Sequence, residues 1–297
     1  MRSRAEILVV GDLHGCWCEE DVDFLENGSQ DIVLFVGDLG DEDVAIVERI
    51  VDLNVEKAVI LGNHDAWQSF SNKQPTDKLR RILELVGDDH LAYGVRELPA
   101  AGISIVGARP FTWGGLDLRS PEVYGEFFGV RTSEESAARI AAAAAGADHD
   151  DLLVLAHNGP YGLGSSPSSI YGKDFGKRPG GDWGDRDLAD ALRSIADGGK
   201  RVRAVVAGHM HHRLHPQIGG KRARFAKRDG CLYLNPAIVP RICRADDGDG
   251  HRRHYLRMIW EAGEMTSADE IWVDRSGRIR EVDAVRFRAL RSRQKHS

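Results

Sequence analysis

The chain has 297 residues, 42% hydrophobic and 29% charged, which is enough apolar material for one large α/β domain or two small ones. A formal charge of −6 and a sequence pI near 6.1 deny it the basic surface of a dedicated nucleic-acid binder. No run approaches the roughly 18 apolar residues of a membrane span, and the charged start at residues 1–6 lacks the apolar core of a signal peptide. The four cysteines, Cys16, Cys18, Cys231 and Cys243, are too few for a disulfide framework and read as reduced thiols of a cytoplasmic protein.

The first expected strand, residues 7–10, runs into Gly11-Asp12, and the second, 32–36, into Gly37-Asp38. A helix follows over 42–53, with Val44, Val47, Ile50 and Val51 on one face. The strand at 58–61 runs into Gly62-Asn63. A second helix over 76–86 carries Leu79, Ile82, Leu83 and Val86. Residues 103–106 form a strand that leads into Gly107-Ala108-Arg109-Pro110, and residues 134–147 an Ala-rich helix. The strand at 152–156 ends at His157.

Residues 159–184 are rich in Gly, Ser and Pro and have no periodicity, the mark of a functional loop. A helix over 185–196, with Asp185 as its N-cap, precedes the strand at 204–207 and Gly208-His209. A strand at Cys231-Leu232-Tyr233-Leu234 comes next, then a polar loop over 246–254. A terminal strand pair at about 255–274 and a solvated basic tail at 286–297 complete a single expected domain.

Five of these strands end in a small residue followed by a side chain with a lone pair to offer. Buried strands of an α/β sheet align their ends, so residues just past them converge on one edge, where ligands bind. In Asp12-Leu13-His14, alternation along an extended chain puts both side chains on one side. Asp38, Asn63, His157, His209 and His211 complete a set of two carboxylates, one amide and four imidazoles. That donor set suits manganese, iron or zinc, and no thiolate cluster points to a closed structural zinc.

In order, these blocks are D-x-H at 12–14, G-D-x-x-D at 37–41, G-N-H-D at 62–65, a lone His157, and G-H-x-H at 208–211. The pattern resembles the calcineurin-like metallophosphoesterases. More narrowly, Gly107-Ala108-Arg109-Pro110-Phe111 with Trp113-Gly114-Gly115, His157-Asn158-Gly159-Pro160, and Gly180-Gly181-Asp182-Trp183-Gly184-Asp185 resemble a branch found in cyanobacteria and plastids.

The resemblance implies a four-layer α/β/β/α sandwich of two mixed β-sheets flanked by helices, in which the terminal strands near Tyr255 and Trp272 are expected to extend the second sheet. It implies two divalent first-row metal ions, manganese foremost and iron or zinc as alternatives. One would be held by Asp12, His14, Asp38 and His211, the other by Asp38, Asn63, His157 and His209, with Asp38 as the bridge. A metal-bridging hydroxide would attack phosphorus in a phosphomonoester or phosphodiester. His64 would protonate the leaving oxygen, and Asp65 would orient the His64 ring.

The chain departs from the protein-phosphatase branch, where Arg follows the second and third blocks; here Glu42 and Ala66 stand instead. Arg109, Lys173 or Arg178 are the candidate replacements for gripping phosphate. The expected partner is a small phosphorylated substrate, with no membrane and no dedicated nucleic-acid surface. Two rival readings are a catalytically weak metal-binding or regulatory member and a nuclease, in which Trp113, Tyr161, Tyr171 and Trp183 would stack on a base.

Overall fold

A strand whose alternate faces are both apolar needs cover on both sides, and every strand near the site is of this kind. The structure is a computed structural model that describes residues 4–115, 117–244 and 250–285. Strands β1 (Arg4–Val10), β2 (Ile32–Phe35) and β3 (Lys57–Val59) pair in parallel. Parallel neighbours need crossovers, supplied by helices α1 (Glu19–Glu26) and α2 (Val44–Val51). Helices α3 (Trp67–Asn72) and α4 (Asp77–Val86) follow.

The second sheet contains β4 (Val95–Leu98), β5 (Ile103–Gly107), β6 (Asp151–Ala156), β7 (Arg201–Ala207), β8 (Phe225–Arg228) and β9 (Cys231–Leu234), in the order β4-β5-β6-β7-β9-β8. Helices α5 (Pro121–Phe128) and α6 (Ser133–Ala145) lie between β5 and β6, and α7 (Arg186–Asp197) precedes β7. The chain then returns to the first sheet with β10 (Ile242–Arg244), β11 (His251–Glu261), β12 (Glu264–Val273) and β13 (Ile279–Ala284). Both sheets mix parallel and antiparallel pairs.

The side-chain alternation sorts the layers. Leu8, Val10, Val33 and Phe35 point outward, into a core with Leu25 of α1, Ile46 of α2, Phe70 of α3, Ile82 of α4 and Val123 of α5. Ile7, Val9, Ile32 and Leu34 point inward and meet Ile103, Ile105, Leu153, Leu155 and Val206 of the other sheet. Leu152, Val154 and Val205 face away from that interface, onto Ile140 of α6 and Ile195 of α7. The result is the expected α/β/β/α sandwich, two mixed sheets flanked by helices.

Three expectations change at the C-terminal side. The terminal strands join the first sheet, with β11 antiparallel to β1, and β13 adds a third strand beyond the pair. Residues 251–254 belong to β11 and are not loop; Arg253 and His254 are both buried. Their polar run hid a strand because its charges are met inside: Arg253 donates to Cys18 Sγ at 3.2 Å and to the Asp274 carbonyl at 3.1 Å. The basic tail at 286–297 lies outside the described residues. Among the described residues no helix is long and apolar enough to cross a membrane.

One buried network ties α1 to the returning strands. Arg241 Nη2 donates to Asp21 Oδ1 at 2.8 Å, Tyr255 Oη donates to the same carboxylate, and Arg241 Nη1 donates to the Cys16 carbonyl at 3.3 Å. Both Arg241 and Asp21 are almost fully buried. Burial opposes ionisation of Asp21, but Arg241 and Tyr255 outweigh it and hold the carboxyl below the usual range. Removing one partner of such a pair strands a buried charge, so Asp21→Ala should cost about 3–5 kcal/mol of unfolding free energy in urea denaturation. A depressed native pKa contributes stability above the unfolded value of about 3.9 and loses it as pH falls. The gap between parent and variant should therefore be widest near neutrality and narrow below about pH 4. An Asp21→Ala protein as stable as the parent would show that this network does not hold the α1 connection.

Candidate metal centre

Register brings the site together. Val10 pairs with Phe35 and Phe35 with Val59, so β1, β2 and β3 end level, and Asp12, Asp38 and Asn63 follow in the loops just beyond. In the second sheet Ala156 pairs with Ala207, which puts His157 and then His209 and His211 at the matching edge. The loops turn sharply there: His14, Asp38 and His209 have φ of +44°, +51° and +66°. Non-glycine residues in the left-handed region carry backbone strain, and such strain gathers at functional sites. Gly62 and Gly208 are small for a spatial reason. A Cβ at Gly62 would strike the Asp38 carboxylate and the His157 ring, and one at Gly208 would strike Asp12.

Two groups of donors result, with donor atoms within 4.8 Å of one another: Asp12, His14, Asp38 and His211, and Asp38, His157 and His209. Asp38 belongs to both. Its Oδ2 lies 3.6 Å from His14 Nε2 and its Oδ1 3.4 Å from His157 Nε2. One carboxylate thus turns an oxygen toward each group. His14 Nε2 and His211 Nε2 face each other at 3.0 Å, and Asn63 Oδ1 is 3.0 Å from His157 Nε2. The structure therefore brings all seven of the expected ligands into one place.

The electrostatics fit cations. Burial, followed by repulsion among the imidazoles, lowers His209 well below its ordinary value; burial lowers His14 and takes His157 down to about 4. These rings are neutral, the form that ligates a metal. His157 Nδ1 donates to the Val36 carbonyl at 2.7 Å. A neutral imidazole has one N–H, so the His157 Nε2 lone pair is left facing Asp38 and Asn63. Burial, then the charges of Asp12 and Asp65, pushes Asp38 well above the usual carboxylate range. The carboxylates of Asp12 and Asp38 lie 3.4 to 3.6 Å from imidazole nitrogens of His14, His157 and His211. Lone pairs converging on one another in a buried place are what a divalent cation offsets, and the oxygen–nitrogen set is one that first-row ions accept.

His64 stands beside this cluster, its ring 4.7 Å from that of His14. The expected partnership with Asp65 does not form. His64 Nδ1 donates to Asp41 Oδ1 at 2.6 Å, which directs Nε2 away from that carboxylate. Asp65 is buried and accepts backbone N–H groups of Gly62 at 2.8 Å and Gly40 at 3.1 Å. It pins two ligand-bearing loops together and does not touch the His64 ring through its carboxylate. Burial raises its carboxyl to about 7 against the pull of those amides. Asp41 was visible as the last residue of the G-D-x-x-D block, but only the turn after β2 brings it to His64.

Arg109 is also not where a phosphate grip would be. It is buried, with Nε 2.7 Å from Asp187 Oδ2 and Nη2 3.3 Å from Asp185 Oδ1. Asp185 occupies the N-cap position of α7 without capping it, because its carboxylate accepts from Thr112 Oγ1 at 2.7 Å and Asn158 Nδ2 at 3.3 Å. Lys173 Nζ lies over the rings of Trp183 and Phe175, at 5.0 and 5.5 Å. Arg178 is exposed within the same loop.

Loop 159–184 is ordered by buried contacts rather than by periodic structure. Arg222 donates to carbonyls of Pro167, Ser169 and Gly172, ion-pairs with Asp174 at 2.8 Å, and donates through Nε to the His211 carbonyl at 3.0 Å. Trp183 Nε1 donates to the Trp113 carbonyl at 2.9 Å. The loop is thereby fastened to both segments that flank the cluster. Glu42, in place of the phosphatase arginine, is buried and accepts from Ser69 N at 2.8 Å and Thr76 Oγ1 at 2.7 Å. A cavity of about 510 Å3 opens beside His14 and Asp41, and among the described residues Lys78 is the one Lys or Arg on its wall.

The family model described as calcineurin-like phosphoesterase matches residues 5–213. No curated protein matches the chain. One solved crystal structure, 11% identical, superposes with a TM-score of 0.53 over 86% of this chain and 95% of the other. The protein TT1561 of Thermus thermophilus is 13% identical over 95% of this chain and 99% of its own, with a TM-score of 0.49. A metallophosphoesterase from Sphaerobacter thermophilus is 14% identical over 91% and 88%, with a TM-score of 0.33.

Arg109 tests how the site is supported. Arg109→Ala would leave Asp185 and Asp187 buried together without their cation, so the protein should lose about 3–5 kcal/mol of stability in chemical denaturation. A variant of unchanged stability that instead binds substrate weakly would return the guanidinium to the substrate.

Proposed function

Since the chain belongs to the calcineurin-like phosphoesterase family, we propose that it is a metal-dependent hydrolase of phosphomonoesters or phosphodiesters with a two-metal centre. The observation that supports two ions over one is Asp38, whose two carboxylate oxygens face imidazoles of two separate groups. Asp12, His14, Asp38 and His211 would hold one ion, and Asp38, Asn63, His157 and His209 the other. Bound there, divalent first-row ions, manganese foremost, polarise phosphoryl oxygens and make a water acidic enough to attack at neutral pH.

The chain's own residues do the rest. His64, with Nδ1 held by Asp41, carries a proton on Nε2 for the departing oxygen, and the Asp41 carboxylate stabilises the cationic ring. Asp65 keeps the loops of Asp38 and Asn63 at a fixed separation through the Gly40 and Gly62 amides. With Arg109 and Glu42 used internally, the cation available to a substrate in the cavity is Lys78. Lys173 and Arg178 sit on loop 159–184, which forms one side of the substrate entrance in this reading. The retained His64–Asp41 pair favours an enzyme over a metal-binding regulatory protein. The segments resembling the cyanobacterial and plastid branch meet in the Trp113–Asn158–Trp183–Asp185 network.

Phosphoesterase activity should disappear with chelator and return with manganese, and Asp38→Ala should abolish it by removing the shared ligand. Unchanged turnover in metal-free Asp38→Ala protein rejects the two-metal reading. His64→Ala should keep both metals by elemental analysis while turnover falls about 10²–10⁴-fold. The loss should shrink for nitrophenyl esters, whose leaving group needs little protonation. Asp41→Asn should follow the same leaving-group trend with a smaller loss. An equal loss for good and poor leaving groups would remove the acid role.

A further inference from the structure

Three of the six tryptophans gather on the His64 side of the cluster. The Trp67 ring lies 4.9 Å from that of His64, tilted by 34°, and 4.6 Å from that of Trp113, tilted by 41°. Arg119 caps Trp113 with its guanidinium 5.4 Å from the ring. Trp183 ties in through its hydrogen bond to the Trp113 carbonyl and continues edge-on to Phe175 at 5.2 Å. Trp67 is 42% exposed and Phe175 40% exposed. An indole with this much open surface beside His64, and contiguous with a second indole, offers a ligand a ring face.

The direction of reaction says which part of a substrate meets this row. His64 delivers its proton to the leaving oxygen, so the alcohol carrying that oxygen extends from His64 along Trp67. We propose that the Trp67–Trp113 row is a stacking platform for the leaving group, and that the substrates are phosphoesters whose leaving alcohol carries a planar ring, nucleosides being the class. The cation of Arg119 at the far end suits an electron-rich ring or a second anionic group. Stacking reads a ring face and needs no basic groove, so it is compatible with a chain of net charge −6. The placement of the leaving group rests on the phosphoesterase reading; the platform itself does not.

The test separates the two. Adenosine and ribose are titrated into metal-free protein and followed by intrinsic tryptophan fluorescence. Turnover of adenosine 5′-monophosphate and ribose 5-phosphate is measured in manganese-loaded protein. Adenosine should quench saturably and ribose should not. Trp67→Ala should weaken adenosine binding by about tenfold or more, and Trp67→Phe should keep most of it. The preference in kcat/KM for the nucleotide over ribose 5-phosphate should fall by the same factor in Trp67→Ala. Absence of saturable adenosine binding, or equal binding by Trp67→Ala, overturns the platform. So does an equal kcat/KM for the two esters in the parent protein, an outcome that leaves the phosphoesterase reading standing. Adenosine binding that is lost in Trp67→Ala, with neither ester hydrolysed, sinks the phosphoesterase reading and keeps the platform.

Discussion

The Asp38 carboxylate organises the site because it is shared. It arrives from the first sheet and turns one oxygen toward His14 of that sheet and the other toward His157 of the second. It is also an acceptor for the His64 amide at 2.9 Å. A buried carboxylate with imidazoles on two sides and Asp12 nearby is costly to ionise without added positive charge. Everything around it is arranged to tolerate that cost: a left-handed backbone at Asp38 itself, a glycine at 62 that leaves it room, and Asp65 bracing the adjoining loops. The sandwich supplies the remaining condition, two sheets whose parallel strands stop level at one edge.

The arginines explain how an acidic chain can run such a site. Arg109, Arg222 and Arg241 are all buried, and each is engaged in a structural task. Arg109 neutralises Asp187 and Asp185 beneath the Trp113 segment, Arg222 fastens loop 159–184 to the His211 backbone, and Arg241 joins α1 to β11. A guanidinium suits these tasks because its planar fork satisfies several acceptors at once. The consequence reaches the surface. With those cations turned inward, the wall next to His64 is aromatic.

Backbone carbonyls brace both the cluster and the aromatic row beside it. The Val36 carbonyl takes a hydrogen bond from His157 and so sets the tautomer of that ring. The Trp113 carbonyl accepts from Trp183 Nε1 and so fixes the aromatic row beside the cluster.

The linear order of residues was enough for the strand–helix alternation and the seven converging donors, because these depend on local periodicity and on short motifs at strand ends, while the sandwich was implied by the resemblance those motifs carry. Val10, Phe35 and Val59 lie in runs whose apolar content marks them as buried before any pairing is known. What the chain could not disclose were pairings between groups far apart in sequence. Asp65 is next to His64 in the chain, yet the turn at 64–66 points its carboxylate at the Gly40 and Gly62 amides, leaving Asp41 to meet the ring. Arg109 carries a charge that reads as available until Asp187, 78 positions later, closes on it. Residues 251–254 read as a polar loop because polarity is a local property, whereas burial is decided by what arrives on the other side, here Cys18, Asp274 and Trp272. A motif specifies which atoms can donate; only the packed fold decides which of them are already engaged.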